Sequence, residues 1–221
     1  EVALLLEINS ETDFVAKSDD FINYVKQTAN MISDSAFVDY NQLMSSDNET
    51  LKNDLEEMRK NYVTKLGENI QIRRFKLFDK KANSVIGYTH NNKIGALVVL
   101  KNHDEQLSKD ICMQIVASNP LGLDESSIDP EVLASEKEVY MAELDKINKK
   151  DDIKRNIMEG KVKKFISENT LLNQPFIKDS SLTLKKIIKD NEILHYTRYE
   201  LGEGIEKKKE DFAEEVYNQI K

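Results

Sequence analysis

The histidines and the lone cysteine are the residues that chemistry would use most readily. The chain has three histidines, His90, His103 and His195, and none lies at a metal-ligand spacing from Cys112 or from another histidine. Cys112 falls near the apolar stripe of a predicted helix and has no activating partner close to it in the sequence. We therefore expect a buried structural thiol, and neither a metal centre nor a cysteine nucleophile.

The glycines and the acids do not indicate an enzyme either. Gly202-Glu203-Gly204 lacks the third glycine and the strand–helix frame of a dinucleotide loop, and the chain has no Gly-Lys-Ser/Thr run. With 40 acidic residues, paired carboxylates occur everywhere and select no position for acid–base chemistry. A hydrolase built on Asp13 and His90 is an alternative that no nucleophile–base pair supports. We predict no enzyme activity, no cofactor and no metal.

Composition favours a globular protein that acts on another protein. The 221 residues are 39% hydrophobic and 33% charged, enough for one large domain or two small ones. The net charge of −8 argues against a main task of binding a phosphate backbone. The longest nearly continuous apolar run, residues 94–100, is far shorter than the ~20 residues of a membrane helix. A single cysteine excludes an internal disulfide and suits a reducing cytosol.

The elements that would position these residues begin with a strand at residues 3–8. A helix with Ser18-Asp19-Asp20 at its start follows, and residues 34–48 are polar and predict a loop. A second amphipathic helix ends at Gly67 as a C-cap, and residues 70–78 predict a strand with a bulge near Arg73-Arg74. The inward positions of the two helices recur at helical spacing: Phe21, Val25, Thr28 and Ile32, then Leu51, Leu55, Met58 and Tyr62.

The second half of the chain begins with a hairpin signal. Residues 85–90 and 94–100 flank Asn91-Asn92-Lys93, and a helix follows from about Asp104. Asp129-Pro130-Glu131 predicts the start of an antiparallel helical hairpin, which projects because its apolar stripe is narrow. Thr183 is predicted to cap a short helix, and residues 193–201 predict a last strand before a turn.

Because the strands lie alone or in hairpins, we predict an α+β fold of two small subdomains with antiparallel sheets packed by helices, plus the protruding helical hairpin. The predicted division is a subdomain N (residues 1–83), a subdomain C (84–124 and 172–206), the hairpin insertion (129–169) and a C-terminal helix module (207–221).

One short segment is unusual. Thr12-Asp13-Phe14-Val15-Ala16-Lys17 places a large aromatic side chain beside an acid at a strand-to-helix junction. From spacing alone, the favoured interpretation is that Thr12 or Asp13 caps the helix and that Phe14 packs under it.

This segment also resembles a known family. Residues 2–17 are similar to the opening of the elongation factor Ts core, and residues 65–74, 160–165, 171–177 and 201–213 match further family signatures in order. The family usually has a small helical domain before this strand. We therefore expect that the chain starts after that domain, by truncation or loss, and that its affinity for the partner is reduced.

The resemblance implies a guanine-nucleotide exchange factor for elongation factor Tu in translation elongation. It would bind Tu–GDP, displace Mg²⁺ and promote GDP release so that GTP can bind. Phe14 would be a wedge between helices of the GTPase domain, and Asp13 would compete for hydrogen bonds beside the disturbed site. The residues that the resemblance assigns to partner binding and Mg²⁺ dislocation are Thr12, Asp13, Phe14 and Val15, with supporting contacts from Leu66, Gly67, His90, Ile177, Phe212 and Val216.

Several of these assignments have a structural alternative. Leu66 and Ile177 could equally be core residues, Gly67 a plain C-cap and His90 a hairpin-end residue. The helical hairpin matches a coiled coil that dimerises some family members, which leaves a homodimer open. A non-catalytic scaffold or ribosome-associated module acting through that hairpin is the alternative function. We expect no direct nucleic-acid or membrane partner, and a location in a bacterial cytoplasm or, alternatively, an organelle matrix.

Overall fold

The computed structural model describes residues 2–79 and 84–205 of the chain. In these ranges small antiparallel sheets are packed by helices, which confirms the α+β prediction. The strands are β1 (Val2–Ser10), β2 (Ile70–Asp79), β3 (Ser84–His90), β4 (Ile94–Leu100), β5 (Pro175–Phe176), β6 (Asp179–Thr183) and β7 (Ile193–Glu200). The helices are α1 (Asp13–Ala16), α2 (Asp19–Ser33), α3 (Tyr40–Ser45), α4 (Glu49–Leu66), α5 (Glu105–Ser118), α6 (Pro130–Asp145), α7 (Asp151–Asn169) and α8 (Leu184–Ile188), with a 3₁₀ turn at Glu125–Ser127.

β1 and β2 pair in antiparallel fashion and support the first hydrophobic cluster. The register shifts between Glu7 and Ile8, so that Arg73 has no partner opposite it, and the predicted bulge is confirmed. Helix α2 turns Tyr24 into this cluster with 0% exposure, whereas the predicted Val25 is only partly buried. The other fully buried side chains of the cluster are Ile32, Leu43, Ile70 and Phe75.

Helix α3 lies in the segment predicted to be a loop, so that prediction is wrong. The Asp39 carboxylate accepts a hydrogen bond from the Gln42 N–H at 2.9 Å and pairs with Lys76 of β2 at 3.1 Å. Leu43, which is 1% exposed, anchors the helix in the first cluster. A helix of 6 residues is too short to show a helical period in the sequence, and it depends on these tertiary contacts.

β3, β4 and β7 form a three-stranded antiparallel sheet with helix α5 packed on it. Asn91 and Asn92 have φ angles of 53° and 55°, the left-handed conformations of a tight hairpin turn, and the predicted hairpin is confirmed. Cys112 on α5 is 0% exposed, as expected for a structural thiol, and burial raises the pKa of this thiol to about 12.

Helices α6 and α7 form the predicted helical hairpin, of 16 and 19 residues. The Asp129 carboxylate accepts from the Glu131 N–H at 2.8 Å, which confirms the predicted start. Lys161 of α7 pairs with Glu143 of α6. In the part of the chain that the structure describes, Leu144 and Ile166 are the buried residues of these helices, so most of the hairpin surface faces solvent. No helix in residues 2–79 and 84–205 is both long and apolar enough to cross a membrane.

Helix α8 follows Thr183 as predicted, but the predicted side-chain cap is wrong, because Thr183 makes no capping hydrogen bond. Backbone carbonyls take that role: the Leu184 N–H donates to the carbonyl of Gln174 at 3.1 Å, and the Lys185 N–H to that of Leu172 at 2.9 Å. The preceding β5–β6 hairpin has no signal of its own in the sequence.

A buried carboxylate joins the first sheet to the end of β7. The Glu7 side chain is 4% exposed and accepts from Arg73 Nη1 at 2.8 Å, Arg74 Nε at 2.5 Å and the Gly202 N–H at 3.0 Å. Arg74 also stacks 4.2 Å from the ring centroid of Tyr199 on β7. Burial alone would raise the pKa of Glu7, but these donors outweigh it and hold the pKa below its ordinary value. The subdomain boundaries given above stay predictions.

Candidate partner-binding site

Helix α1 holds Phe14 in solvent. It has 4 residues and begins at Thr12, whose Oγ1 accepts from the Val15 N–H at 3.3 Å, so the predicted Thr12 cap is confirmed. Phe14 is 89% exposed, and the interpretation that it packs under its own helix is wrong. Val15 and Ala16 are the residues that face the first cluster, and in so short a helix Phe14 is left on the other side.

Because of this exposure, Phe14 adds little hydrophobic burial free energy to the stability of the isolated chain. Burying a phenylalanine is worth ~1.5–3 kcal/mol of transfer free energy, and Phe14 gains little of it here. A single exposed apolar residue is ordinary on a protein surface. Phe14 differs because its helix is fixed by contacts from two directions, so that its ring can be buried against a partner with little reordering of the backbone.

Glu68 fixes the start of α1 from the α4–β2 turn. Its carboxylate accepts from the Thr12 N–H at 2.9 Å and from the Thr12 hydroxyl at 2.6 Å. Gly67 has a φ of 74°, so the C-cap interpretation is confirmed, and this left-handed residue turns the chain so that Glu68 faces α1. Leu66 is partly buried against the first cluster, as its core alternative proposed. Sequence reasoning missed Glu68, because no local spacing links it to Thr12.

The β3–β4 turn reaches α1 from the second sheet. Lys93 Nζ lies 3.2 Å from a carboxylate oxygen of Asp13. Both side chains are more than half exposed, so the pair is worth at most about 1 kcal/mol. His90 is exposed at the end of β3, as its structural alternative proposed, and its ring nitrogens lie 3.3 Å from the Tyr88 hydroxyl and 3.2 Å from Asn91 Nδ2. Through Lys93, the β3–β4 turn that follows His90 lies beside α1.

A groove of about 440 Å³ lies between α1, α2, β1 and the β3–β4 turn. Its lining combines polar residues of the site, Thr12, Asp13 and Lys93, with apolar side chains. The apolar part includes Leu6, Ile22, Val25, Ile94 and Leu201. The exposed ring of Phe14 thus projects from a helix that borders an apolar concavity, an arrangement suited to binding a protein surface.

Ile177 is held at a different place. It lies in the turn between β5 and β6, where its N–H donates to Oε1 of Gln114 at 2.8 Å. Gln114 is 1% exposed and also donates to the carbonyl of Pro175 at 3.2 Å. Because Ile177 itself is 45% exposed, its core alternative is wrong. The predicted contacts Phe212 and Val216, with the rest of the C-terminal module, lie outside the described residues.

The geometry at α1 can bind but offers little for chemistry. Among the described residues, no group of three or more His, Cys, Asp or Glu side chains is arranged to hold a metal ion. The carboxylate of Asp13 faces Lys93, and His90 faces Tyr88 and Asn91, so the hydrolase alternative gains no support. The site consists of an exposed aromatic side chain, the Thr12–Glu68 and Asp13–Lys93 contacts that hold its helix, and a neighbouring groove.

Comparison with known proteins identifies the group to which this architecture belongs. A family model described as "Elongation factor TS" matches residues 11–203, a range that includes α1, Glu68, Lys93 and Ile177. Elongation factor Ts of Thioalkalivibrio sulfidiphilus is 39% identical over 99% of this chain and 75% of its own length. The proteins of the same name from Alkalilimnicola ehrlichii and Legionella pneumophila are 40% and 37% identical, again over 99% of this chain and 75% of their own length. The chain therefore belongs to the elongation factor Ts family.

Proposed function

We propose that this chain promotes GDP release from elongation factor Tu and that α1, with Phe14, is the element that acts on the partner. The elongation factor Ts family works by nucleotide exchange rather than by a chemical reaction of its own. The observation that carries the site proposal is the 89% exposure of Phe14 on a helix tied down at Thr12 and Asp13.

The energetic task is set by the partner. A GTPase of this kind holds GDP through backbone N–H groups around the phosphates and through Mg²⁺. An exchange factor must bind the nucleotide-free state better, and by linkage GDP weakens its binding by the same factor. Weakening GDP by ~10⁴-fold requires ~5.5 kcal/mol of differential contact free energy.

Phe14 supplies part of this free energy. An aromatic hot-spot residue is worth ~2–4 kcal/mol, less than the whole, so other contacts must add to it. In our proposal Phe14 inserts between helices of the GTPase domain and displaces the elements that position Mg²⁺. The apolar groove beside α1 and the supporting residues Leu66, Gly67 and His90 would supply the rest.

Asp13 has a smaller part in this proposal. Its carboxylate would compete for hydrogen bonds beside the disturbed Mg²⁺ site and would not coordinate the metal. The Asp13–Lys93 pair is exposed and weak, so the carboxylate can change partners at low cost. Thr12 and Val15 act indirectly, because they define the capped turn on which Asp13 and Phe14 stand. Ile177, 45% exposed on the β5–β6 turn, would contact another domain of the partner.

Nucleotide-release kinetics test the function directly. We expect the chain to accelerate the release of a fluorescent GDP analogue from elongation factor Tu loaded in the presence of Mg²⁺. Titration calorimetry should show tighter binding to nucleotide-free Tu than to Tu–Mg²⁺–GDP. Equal affinities for the two forms, with unchanged release, would rule out an exchange factor.

The helical hairpin supports a second candidate function. Val139 and Met141 of α6 and Ile153 of α7 are 51%, 57% and 45% exposed, so the hairpin presents apolar side chains to solvent. This favours an interaction surface, either for a homodimer or for a scaffold or ribosome-associated role. Light scattering after gel filtration would detect the dimer. A chain that associates through the hairpin but leaves GDP release unchanged would favour the scaffold.

A further inference from the structure

Helix α1 cannot be stable by itself. An isolated helix in water needs ~12 or more residues to be even marginally stable, and α1 has 4, none of them fully buried. Its orientation, and therefore the direction in which Phe14 projects, must be set by tertiary contacts: the packing of Val15 and Ala16 on the first cluster and the hydrogen bonds at the ends of the helix. Two neighbours in the sequence contribute: the Ser10 hydroxyl donates to the Thr12 carbonyl at 3.1 Å and the Ser18 hydroxyl to the Val15 carbonyl at 2.8 Å. From distant parts of the chain, Glu68 contacts Thr12 and Lys93 contacts Asp13.

These two contacts are unequal. Asp13 and Lys93 are 63% and 56% exposed at the side chain and 3.2 Å apart, so solvent and salt screen their attraction. Glu68 instead accepts two hydrogen bonds from one residue, with 2.6 Å to the Thr12 hydroxyl, a length typical of a charge-assisted bond. That hydroxyl in turn accepts from the Val15 N–H. Glu68 thus fixes both the backbone and the capping side chain of the first residue before α1.

We propose that Glu68 is a positioning residue for nucleotide exchange: through Thr12 it fixes α1 so that Phe14 is presented in one orientation before the partner binds. This inference rests on the proposed function. It also gives Gly67 a physical task, because Gly67 in its left-handed conformation brings Glu68 to face α1. A Cβ at position 67 would meet no other atom within 4 Å. A substitution there would therefore be strained by the φ of 74° and not by crowding.

The test is a double-mutant cycle between Glu68 and Phe14, measured as the rate of fluorescent GDP release from elongation factor Tu with the full chain. Glu68→Ala should slow release about tenfold or more, because both hydrogen bonds that this carboxylate accepts from Thr12 are lost. In a Phe14→Ala background the same change should add almost nothing, because a misplaced helix no longer matters when the ring is gone. Glu57→Ala, which removes an exposed carboxylate from helix α4, is the matched control and should leave release unchanged.

Glu68→Gln is a more conservative variant, which keeps the test valid if Glu68→Ala destabilises the fold. Glutamine has the same size and can accept one of the two Thr12 hydrogen bonds, so an intermediate loss of exchange is expected. If Glu68→Ala lowers the melting temperature, the cycle is run with Glu68→Gln instead.

The outcomes separate this inference from the proposed function. Normal exchange by Glu68→Ala, with Phe14→Ala impaired, would overturn the role of Glu68 alone. An equal loss in both backgrounds would also overturn it, because Glu68 would then act independently of Phe14. A fully active Phe14→Ala chain would refute the proposed site and this inference together.

Discussion

Two carboxylates connect the part of the molecule around the β1–β2 sheet to the part around the β3–β4–β7 sheet, and they differ in burial and in the number of their partners. Glu7 is 4% exposed and bound by two arginines and a backbone N–H, whereas Asp13 is 63% exposed and faces one lysine at 3.2 Å. The buried contact holds the end of β7 against the bulge of β2. The exposed one lies beside the side chain that we propose meets the partner. The difference indicates that the buried carboxylate stabilises the fold, whereas the exposed one can change partners at low cost, as the role we propose for Asp13 requires.

Removing the buried carboxylate should have the largest effect on stability. Glu7→Ala leaves Arg73 and Arg74 without their buried partner, and breaking such a pair costs ~3–5 kcal/mol. For a chain of this size the melting temperature should fall by roughly 6–20 °C. Thermal unfolding followed by circular dichroism measures this shift. A melting temperature unchanged within about 2 °C would show that the Glu7 cluster does not hold the sheets together, and the contrast with Asp13 would disappear.

Phe14→Ala should cost a free energy similar to that of Glu7→Ala, but the loss should appear in nucleotide exchange and not in folding stability. The ring is 89% exposed, so its removal should leave the melting temperature almost unchanged. Stimulated GDP release should fall by roughly 30- to 1000-fold, the range of an aromatic hot spot of ~2–4 kcal/mol. Met44→Ala is a suitable control, because Met44 is a large apolar side chain, 50% exposed, on helix α3. Normal release by Phe14→Ala, or equal loss by Met44→Ala, would contradict the site assignment.

The pH dependence of stability should follow Glu7. Its folded pKa lies below the ordinary value of 4.5, so the carboxylate contributes stability that is present above pH 4.5 and lost as the pH falls through the folded pKa. Glu7→Gln should flatten this part of the acid unfolding profile, because glutamine does not titrate. Denaturant melts between about pH 3 and 7 for both chains would measure the difference. Parallel profiles would mean that other carboxylates dominate acid unfolding.

Much of the fold could be predicted because its signals are local. Gly67 as a C-cap, the bulge at Arg73, the Asn91-Asn92 turn and the Asp129-Pro130 helix start each depend on a few neighbouring residues. Helix α3 and the cap of α8 could not be predicted, since α3 is stabilised by the burial of Leu43 and α8 by carbonyls from another segment.

The same distinction between local signals and contacts with distant segments applies to the candidate site. The Thr12 cap could be predicted from its residue types, and the structure confirms it. The family resemblance assigned the segment to partner binding, which stays a prediction. Spacing alone placed Phe14 inward, because helical periodicity turns an apolar residue toward the core by default, and only the family resemblance implied an exposed ring. The contacts that fix α1 join residues 56 and 80 positions apart, Thr12 to Glu68 and Asp13 to Lys93, and a single sequence gives no measure of such pairs.

The smallest expected effect concerns the exposed carboxylate, and it sharpens the contrast with Glu7. Asp13→Asn keeps the shape and most hydrogen-bonding capacity but removes the attraction to Lys93, so the free energy of unfolding should change by less than about 1 kcal/mol. GDP release should slow by about three- to tenfold, because one charge-dependent hydrogen bond to the partner is weakened.

Lys93→Met tests the same pair from the other side. If Lys93 only holds α1, Lys93→Met should slow release slightly. Because Lys93 and Asp13 interact, the effect of the double variant should be smaller than the sum of the two single effects. Release kinetics and melting curves for the two single variants and the double variant measure that coupling. A loss of stability by Asp13→Asn as large as that of Glu7→Ala would mean that Asp13 is a structural residue, and that the exposed pair does not belong to recognition at all.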